Sequence, residues 1–400
     1  MPPVKPATFD SPRTLLGGLS SSEFLRQCWH KRPLLVRQGL SGFGCPIPAD
    51  ELAGLACEDD VESRLVRRAG SEGPWELRHG PFDASDFAAL PETGWTLLVQ
   101  DVDKHDPRLD SLLEAFRFIP DWRVDDVMIS YATKGGSVGP HLDDYDVFLI
   151  QGSGRRCWQV GAGPLEGPEL RTDGELSLLQ RFEPTHQWIL EPGDLLYLPP
   201  RVAHHGTALG DDCMTLSVGF RAPLWRDALG SLFDHALERL QGEPRYTDPD
   251  LQPTTAPGAI GPEVTDRFRA AWRDLAAQVE HHLPLWLGCY LTEAKPNLGS
   301  VVPARRPRHD ALERLLGHGH SLTRERASRF AYARDAEGAL WLFVDGDAFP
   351  VPAGAADLVE LLCNRRSIAA DELRPLIAEA DARGLVLELM AAGHLASDHG

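Results

Sequence analysis

A chain of 400 residues exceeds one ordinary domain and predicts two or three. Its composition, 42 % hydrophobic and 25 % charged, is that of a soluble globular protein, and no apolar run approaches the roughly 18–20 residues of a membrane span. Seven scattered cysteines, never spaced C-x-x-C, exclude a disulfide framework and a cysteine zinc site; with no secretion signal at the N-terminus, the expected compartment is the cytoplasm. A formal charge of −19 makes nucleic acid an unlikely partner and permits encounter with a basic protein, without singling one out.

Taken in order, residues 1–20 read as a leader with a short Leu-rich turn. Ser20-Ser-Ser-Glu23 has the form of a capping box, and the helix it starts carries Phe24, Leu25, Cys28 and Trp29 at helical spacing. Pro33 to Val36 predicts a strand, residues 48–60 a helix, Ser63 to Arg68 a strand, Trp95 to Gln100 a buried strand, and Pro107 to Phe118 an amphipathic helix.

From Trp122 to about Pro223 the chain becomes dense in short strands punctuated by Gly and Pro: Asp126–Tyr131, His141–Gln151, Arg156–Val160, Gln187–Leu190, Leu195–Leu198 and Cys213–Phe220. This spacing predicts a β-sandwich or barrel, best matched by a double-stranded β-helix (jelly-roll). Beyond it, Trp225–Gln241 and Glu263–His282 carry large apolar residues at helical spacing, separated by a Pro-rich loop. Such faces must be covered, either by the barrel or by a second copy of the chain. In the last hundred or so residues, Ser328–Tyr332 and Leu340–Val344 predict strands with Asp345-Gly346 as a turn, and Ala356–Cys363, Ser367–Ala380 and Leu385–Ala391 predict helices, together a winged-helix-like unit without a concentrated basic recognition helix. The fold class is therefore α+β, divided as 1–94 (N-terminal extension packing on the barrel), 95–223 (barrel), 224–297 (helical region) and 298–400 (winged-helix-like domain).

The chemistry concentrates in two stretches. Gly139-Pro-His-Leu-Asp143 sets His141 and Asp143 two residues apart, on one face of an extended chain. Glu191-Pro-Gly-Asp-Leu-Leu-Tyr-Leu-Pro-Pro200 leads to His204. Two His and one carboxylate form a facial triad suited to Fe(II), since it leaves open positions; zinc is the competitor. His204 and His205 are adjacent and point to opposite sides, so one alone can join the set. Arg155 and Arg156 alternate likewise, and a guanidinium inside the barrel would bind a carboxylate in bidentate fashion. A basic substrate group would want a carboxylate and an aromatic face; Asp126 and Tyr145 offer them, with Ser217 adding a hydroxyl. Asp144 and Asp146 are further acidic candidates that the sequence does not rank. The bland readings are a loop or capping carboxylate at Asp126 and a core ring at Tyr145.

These two stretches, with Ser217-Val-Gly-Phe-Arg-Ala-Pro223 and Trp29-His-Lys-Arg-Pro-Leu-Leu-Val36, resemble the bacterial ribosomal oxygenases of the JmjC/cupin type, in particular the ribosomal-protein arginine hydroxylases. The resemblance implies a jelly-roll core, a homodimer formed through the helical region, and His141, Asp143 and His204 as the Fe(II) ligands, the pattern P-P-x-x-x-H selecting His204 over His205. It implies 2-oxoglutarate as cosubstrate with Arg156 on its distal carboxylate, O2 as oxidant, and Asp126, Tyr145 and Ser217 gripping a target arginine. The implied reaction is hydroxylation of an arginine β-carbon in a large-subunit ribosomal protein, releasing succinate and CO2. Histidyl hydroxylation of a ribosomal protein, methyl-lysine demethylation and, in a different class, a non-enzymatic metal-binding cupin remain alternatives.

Overall fold

The computed structural model describes residues 12–68, 73–172, 174–240, 245–296, 298 and 309–397; most of the expected N-terminal leader, residues 1–11, lies outside them. The chain divides into two compact units, Met1–Ala222 and Pro223–Gly400.

The first unit is built from eleven strands: β1 (Leu34–Val36), β2 (Ser63–Arg68), β3 (Trp75–His79), β4 (Trp95–Val99), β5 (Val124–Ala132), β6 (Val147–Ser153), β7 (Arg156–Pro164), β8 (His186–Leu190), β9 (Leu195–Leu198), β10 (Val202–Ala208) and β11 (Cys213–Phe220). They form an eight-stranded sheet in the order β1-β9-β6-β11-β5-β4-β2-β3 and a three-stranded sheet β10-β7-β8, all antiparallel. This is the expected jelly-roll, and β2–β4 continue its larger sheet.

Period-two alternation explains why this sheet has an oily face and a working face. On β11, Met214, Leu216, Val218 and Phe220 enter the main core, which leaves Thr215 and Ser217 on the opposite side. On β5, Val127 and Ile129 do the same, leaving Asp126, Met128 and Ser130. The core behind the sheet is an aromatic cluster in which Phe148 contacts Phe24, Phe116, Phe220 and Tyr197. Phe24 comes from the helix Ser21–Gln27, whose Ser20/Glu23 capping box is present as expected.

Several local expectations are corrected. The strand expected from His141 begins only at Val147; His141 makes a single isolated bridge, and the peptide carbonyl of Asp143 is taken by the Arg201 N–H at 2.6 Å rather than by a ladder neighbour. The helix expected at Pro107–Phe118 is a 3-10 turn, Pro107–Leu109, followed by a short helix, Asp110–Glu114. Two strands, β3 and β10, were not anticipated.

In the second unit the helices Trp225–Glu238 and Pro262–Thr292 precede a helix at His309–His318, two three-stranded antiparallel sheets and the helices Ala356–Asn364, Ala370–Leu376 and Ala380–Ala391. The second helix runs well past the expected His282 and through Pro284, because its last turns rest on the hairpin strands Phe330–Arg334, Leu340–Val344 and Asp347–Pro350. Asp345 and Gly346 take positive φ in the two-residue turn between the last two, as expected. Ser367 starts no helix; it pairs with Thr323 in a short strand, so sheet pairing overrides its capping preference. Among the described residues no helix is long and apolar enough to cross a membrane.

Candidate active site

Between the two sheets of the first unit lies a cavity of about 470 Å³. His141 and His204 meet across it because their backbones exchange both hydrogen bonds, His141 N–H to His204 O at 3.0 Å and His204 N–H to His141 O at 2.9 Å. The rings stand 4.3 Å apart, centroid to centroid. Each donates from Nδ1 to a carbonyl two residues back: His141 to Gly139 (3.0 Å) and His204 to Val202 (2.9 Å). A carbonyl only accepts, so the Nδ1 proton is fixed and Nε2 is left as the ligand atom.

Asp143 completes the set, with Oδ1 3.9 Å from His141 Nε2 and Oδ2 3.6 Å from His204 Nε2. One ligand atom from each residue lies within 4.8 Å of the others. Burial, helped by nearby His141 and opposed by Asp143, pushes His204 down to about 4, so its Nε2 is unprotonated at neutral pH. The donor set of two imidazoles and a carboxylate, open on the cavity side, fits a metal ion that must also hold exchangeable ligands.

Arg156 projects into the cavity from β7 while Arg155 is exposed, the expected alternation. Its side chain is buried, 3 % exposed, and its Nε and Nη2 have no hydrogen-bond partner. A buried guanidinium with two orphaned donors is costly unless an anion occupies the space before it, and a planar carboxylate matches its fork. The ring of Trp158 lies 5.7 Å from the Arg156 guanidinium carbon. Gly206 lets that ring lie against β10, since a Cβ there would come within 2.7 Å of it.

Asp126 and Ser217 are brought to the opposite, larger sheet, and Tyr145 to the loop that leads into its strand β6. Ser217 and Tyr145 line the cavity. Asp126 lies within β5 rather than capping a loop or a helix. It is clamped from both sides: its Oδ2 accepts from the Asp101 N–H (3.0 Å), and the next residue, Val127, donates its N–H to Asp103 Oδ1 (2.7 Å). Gly219 opens the space where the two side chains come together, for a Cβ there would sit 3.3 Å from Asp126 Oδ1 and 4.0 Å from the Tyr145 ring. Tyr145 is 43 % exposed, at the open end rather than in the core.

The structure separates the candidates that the sequence left unranked. Asp146 is fully buried and committed to Tyr197 Oη (2.6 Å), His30 (3.1 Å) and Arg123 (3.5 Å). Asp144 is exposed and paired with Arg201 at 2.7 Å. His205 points away from His204 and contacts Ser137 Oγ at 2.9 Å. Other cavity residues escaped sequence reasoning, among them Arg64 and His79 from β2 and β3, Thr215 from β11, and Leu178 from the long loop after β7. The alternation of β11 around Ser217 would have found Thr215; the others arrive through long-range pairing that leaves no local signal.

Comparison with known proteins follows the same two units. Residues 111–228 match the JmjC domain family and residues 273–396 the ROXA-like winged helix. The chain is 41 % identical over 307 residues to the ribosomal protein uL16 3-hydroxylase of Escherichia coli, covering 76 % of this chain and 80 % of that one. It is 42 % identical over 201 residues to a probable ribosomal oxygenase of Haemophilus influenzae, about half of each chain. The crystal structure of E. coli YcfD superposes with a TM-score of 0.84 at 34 % identity, covering 95 % of this chain and 98 % of that one. A second structure of that protein, at a TM-score of 0.79 and with the same identity and coverage, holds cobalt and 2-oxoglutarate.

Proposed function

The chain belongs to the JmjC-domain ribosomal oxygenases, and on that premise we propose that it is an Fe(II)- and 2-oxoglutarate-dependent enzyme that hydroxylates the β-carbon of an arginine in a large-subunit ribosomal protein. The substrate named for the E. coli relative, uL16, is the first candidate. One observation carries the reading: a single cavity holds the His141/Asp143/His204 donor set and the orphaned Arg156 guanidinium on one wall, with Tyr145, Ser217 and the adjoining Asp126 on the other.

Iron and the keto acid supply the oxygen-activating chemistry when bound: O2 is split, one atom enters succinate as CO2 leaves, and the other replaces a C–H by C–OH. The chain's own residues do the rest. His141, Asp143 and His204 hold the ion from one side. Arg156 receives the distal carboxylate of 2-oxoglutarate, which would satisfy the donors left bare on Nε and Nη2. Asp126 pairs with the substrate guanidinium, the Tyr145 ring lies along it, and Ser217 adds a hydroxyl, so that the target carbon is held against the metal. The net charge of −19 favours approach of a basic ribosomal protein in the cytoplasm.

The helical region is assigned to a homodimer. Phe268 and Trp272 on Pro262–Thr292 are 66 % and 53 % exposed, and Leu229 and Leu237 on Trp225–Glu238 are exposed as well. A second copy is the occupant that fits such an apolar surface in this family. Sedimentation velocity on the protein and on a Phe268→Glu/Trp272→Glu variant tests it: a dimer converted to monomer supports the assignment, and a monomeric parent protein refutes it.

The deciding experiment is mass spectrometry of uL16 incubated with the protein, Fe(II), 2-oxoglutarate and O2. One added oxygen on an arginine, lost with His141→Ala, is the expected result. Oxygen on a histidine would keep the mechanism and move the substrate. No oxidation and no succinate would leave a metal-binding cupin.

A further inference from the structure

Gln100, the residue after β4, sits beside Asp126 but was not among the candidates for the site. Its backbone N–H bonds to Glu62 O at 2.9 Å, which fixes it next to Arg64 on β2. Its side-chain amide lies between two groups of fixed character. Arg64 can only donate, and the Asp126 carboxylate only accepts. A single amide orientation satisfies both: Oε1 accepts from Arg64 Nη2 at 2.9 Å, and Nε2 donates to Asp126 Oδ2 at 3.2 Å. Asp126 Oδ2 then receives two N–H groups, from Gln100 and from the backbone of Asp101 (3.0 Å). Oδ1 is the oxygen on the Gly219 and Tyr145 side.

We infer that Gln100, oriented by Arg64, is a positioning residue that sets the rotation of the Asp126 carboxylate and thereby the fit of the substrate's cationic side chain. The inference rests on the reading of Asp126 as the group that pairs with that cation. Without Gln100, Oδ2 loses one of these two N–H donors, and the carboxylate gains a rotational freedom that substrate binding must remove. One Nη donor of Arg64, which lines the cavity, is thus engaged by an amide that presents the opposite polarity to Asp126. The residues proposed to hold metal and 2-oxoglutarate are others, so the effect should fall on the substrate alone.

The test uses the full-length protein with an arginine-containing uL16 peptide. Gln100→Met preserves side-chain volume and removes both bonds; it should raise the peptide KM on the order of tenfold, the equivalent of one charge-assisted hydrogen bond, with kcat changed far less. Gln100→Glu keeps an acceptor for Arg64 but sets a carboxylate against Asp126, and should raise KM further. Calorimetric affinity for 2-oxoglutarate and the melting temperature guard against a general loss of fold. In the double-mutant cycle, Gln100→Met should add little once Asp126 is replaced by Ala. If Asp126→Ala raises KM but neither Gln100 variant does, the inference is wrong while the parent reading stands. Equal falls in kcat and in 2-oxoglutarate affinity in the Gln100 variants would also overturn it, marking a packing role. If Asp126→Ala itself leaves KM unchanged, the parent reading fails first.

Discussion

His141 and His204 form an isolated antiparallel rung, bonded backbone to backbone in both directions, that carries two imidazoles into one cavity. The rung is made of peptide groups and does not depend on the side chains. His141→Ala and His204→Ala should therefore fold while losing metal. Calorimetric Co(II) titration should show affinity down by roughly 100-fold or more, the upper end of what even supporting residues cost. Retained binding in His204→Ala with loss in His205→Ala would reverse the ligand assignment.

Behind His141 stands a chain of contacts of the kind that would hold a metal-binding imidazole in place. Its Nδ1–H is held by Gly139 O, and Gly139, at φ +83°, is pinned by its own N–H to Ser137 Oγ at 3.0 Å, which in turn meets His205 Nε2 at 2.9 Å. Ser137→Ala frees the Gly139 turn and should weaken Co(II) binding on the order of tenfold, with the cavity residues unchanged. His205→Ala should do the same to a smaller degree, since Ser137 still accepts from Gly139. Unchanged Co(II) affinity in both variants would show that the Gly139 turn holds His141 unaided.

That Arg155 and Arg156 turn to opposite sides was legible because strand alternation is a local rule, while the choice of Arg156 as the inward one came from the family resemblance. The convergence of His141, Asp143 and His204 was legible in composition and order, although a strand running from His141 is not what brings them together. What joins His141 to His204 is a contact between residues sixty-three positions apart. The same limit hid β10, Arg64 and Gln100. Each reaches the site through sheet pairing across distant segments, and a residue such as Gln100 looks like any strand-end amide until its neighbours are known. Ser367 failed for the opposite reason, a real local capping preference overruled by pairing with Thr323.

His204 makes the unliganded protein sensitive to acid. Its folded pKa of about 4 lies below the ordinary value of 6.5, so between those limits the unfolded chain binds more protons than the folded one. Its contribution is fully present above pH 6.5 and is lost as pH falls towards 4, up to about 3 kcal/mol. Urea unfolding at pH 7 and pH 5 should show a drop in the metal-free protein that is reduced in His204→Gln. An equal drop in both would place the acid sensitivity in other groups.

Arg156 should carry opposite signs for function and for stability. Its Nε and Nη2 are buried without partners, a state that costs free energy as long as no anion faces them. Replacing it by Met, an unbranched apolar side chain, removes the orphaned donors and the buried charge. The 2-oxoglutarate-free Arg156→Met protein should therefore unfold at higher urea, by about 1–3 kcal/mol. The same change removes the partner proposed for the distal carboxylate, and 2-oxoglutarate affinity should fall roughly 10- to 100-fold, as expected for lost hydrogen bonds to a charged group. Arg156→Lys, which keeps the charge but not the planar fork, should lie between the two in affinity. Adding 2-oxoglutarate and metal should reverse the order of stability, raising the parent protein above Arg156→Met. A variant that loses stability together with affinity would mean that Arg156 holds the barrel together, and the anion site would have to be sought elsewhere.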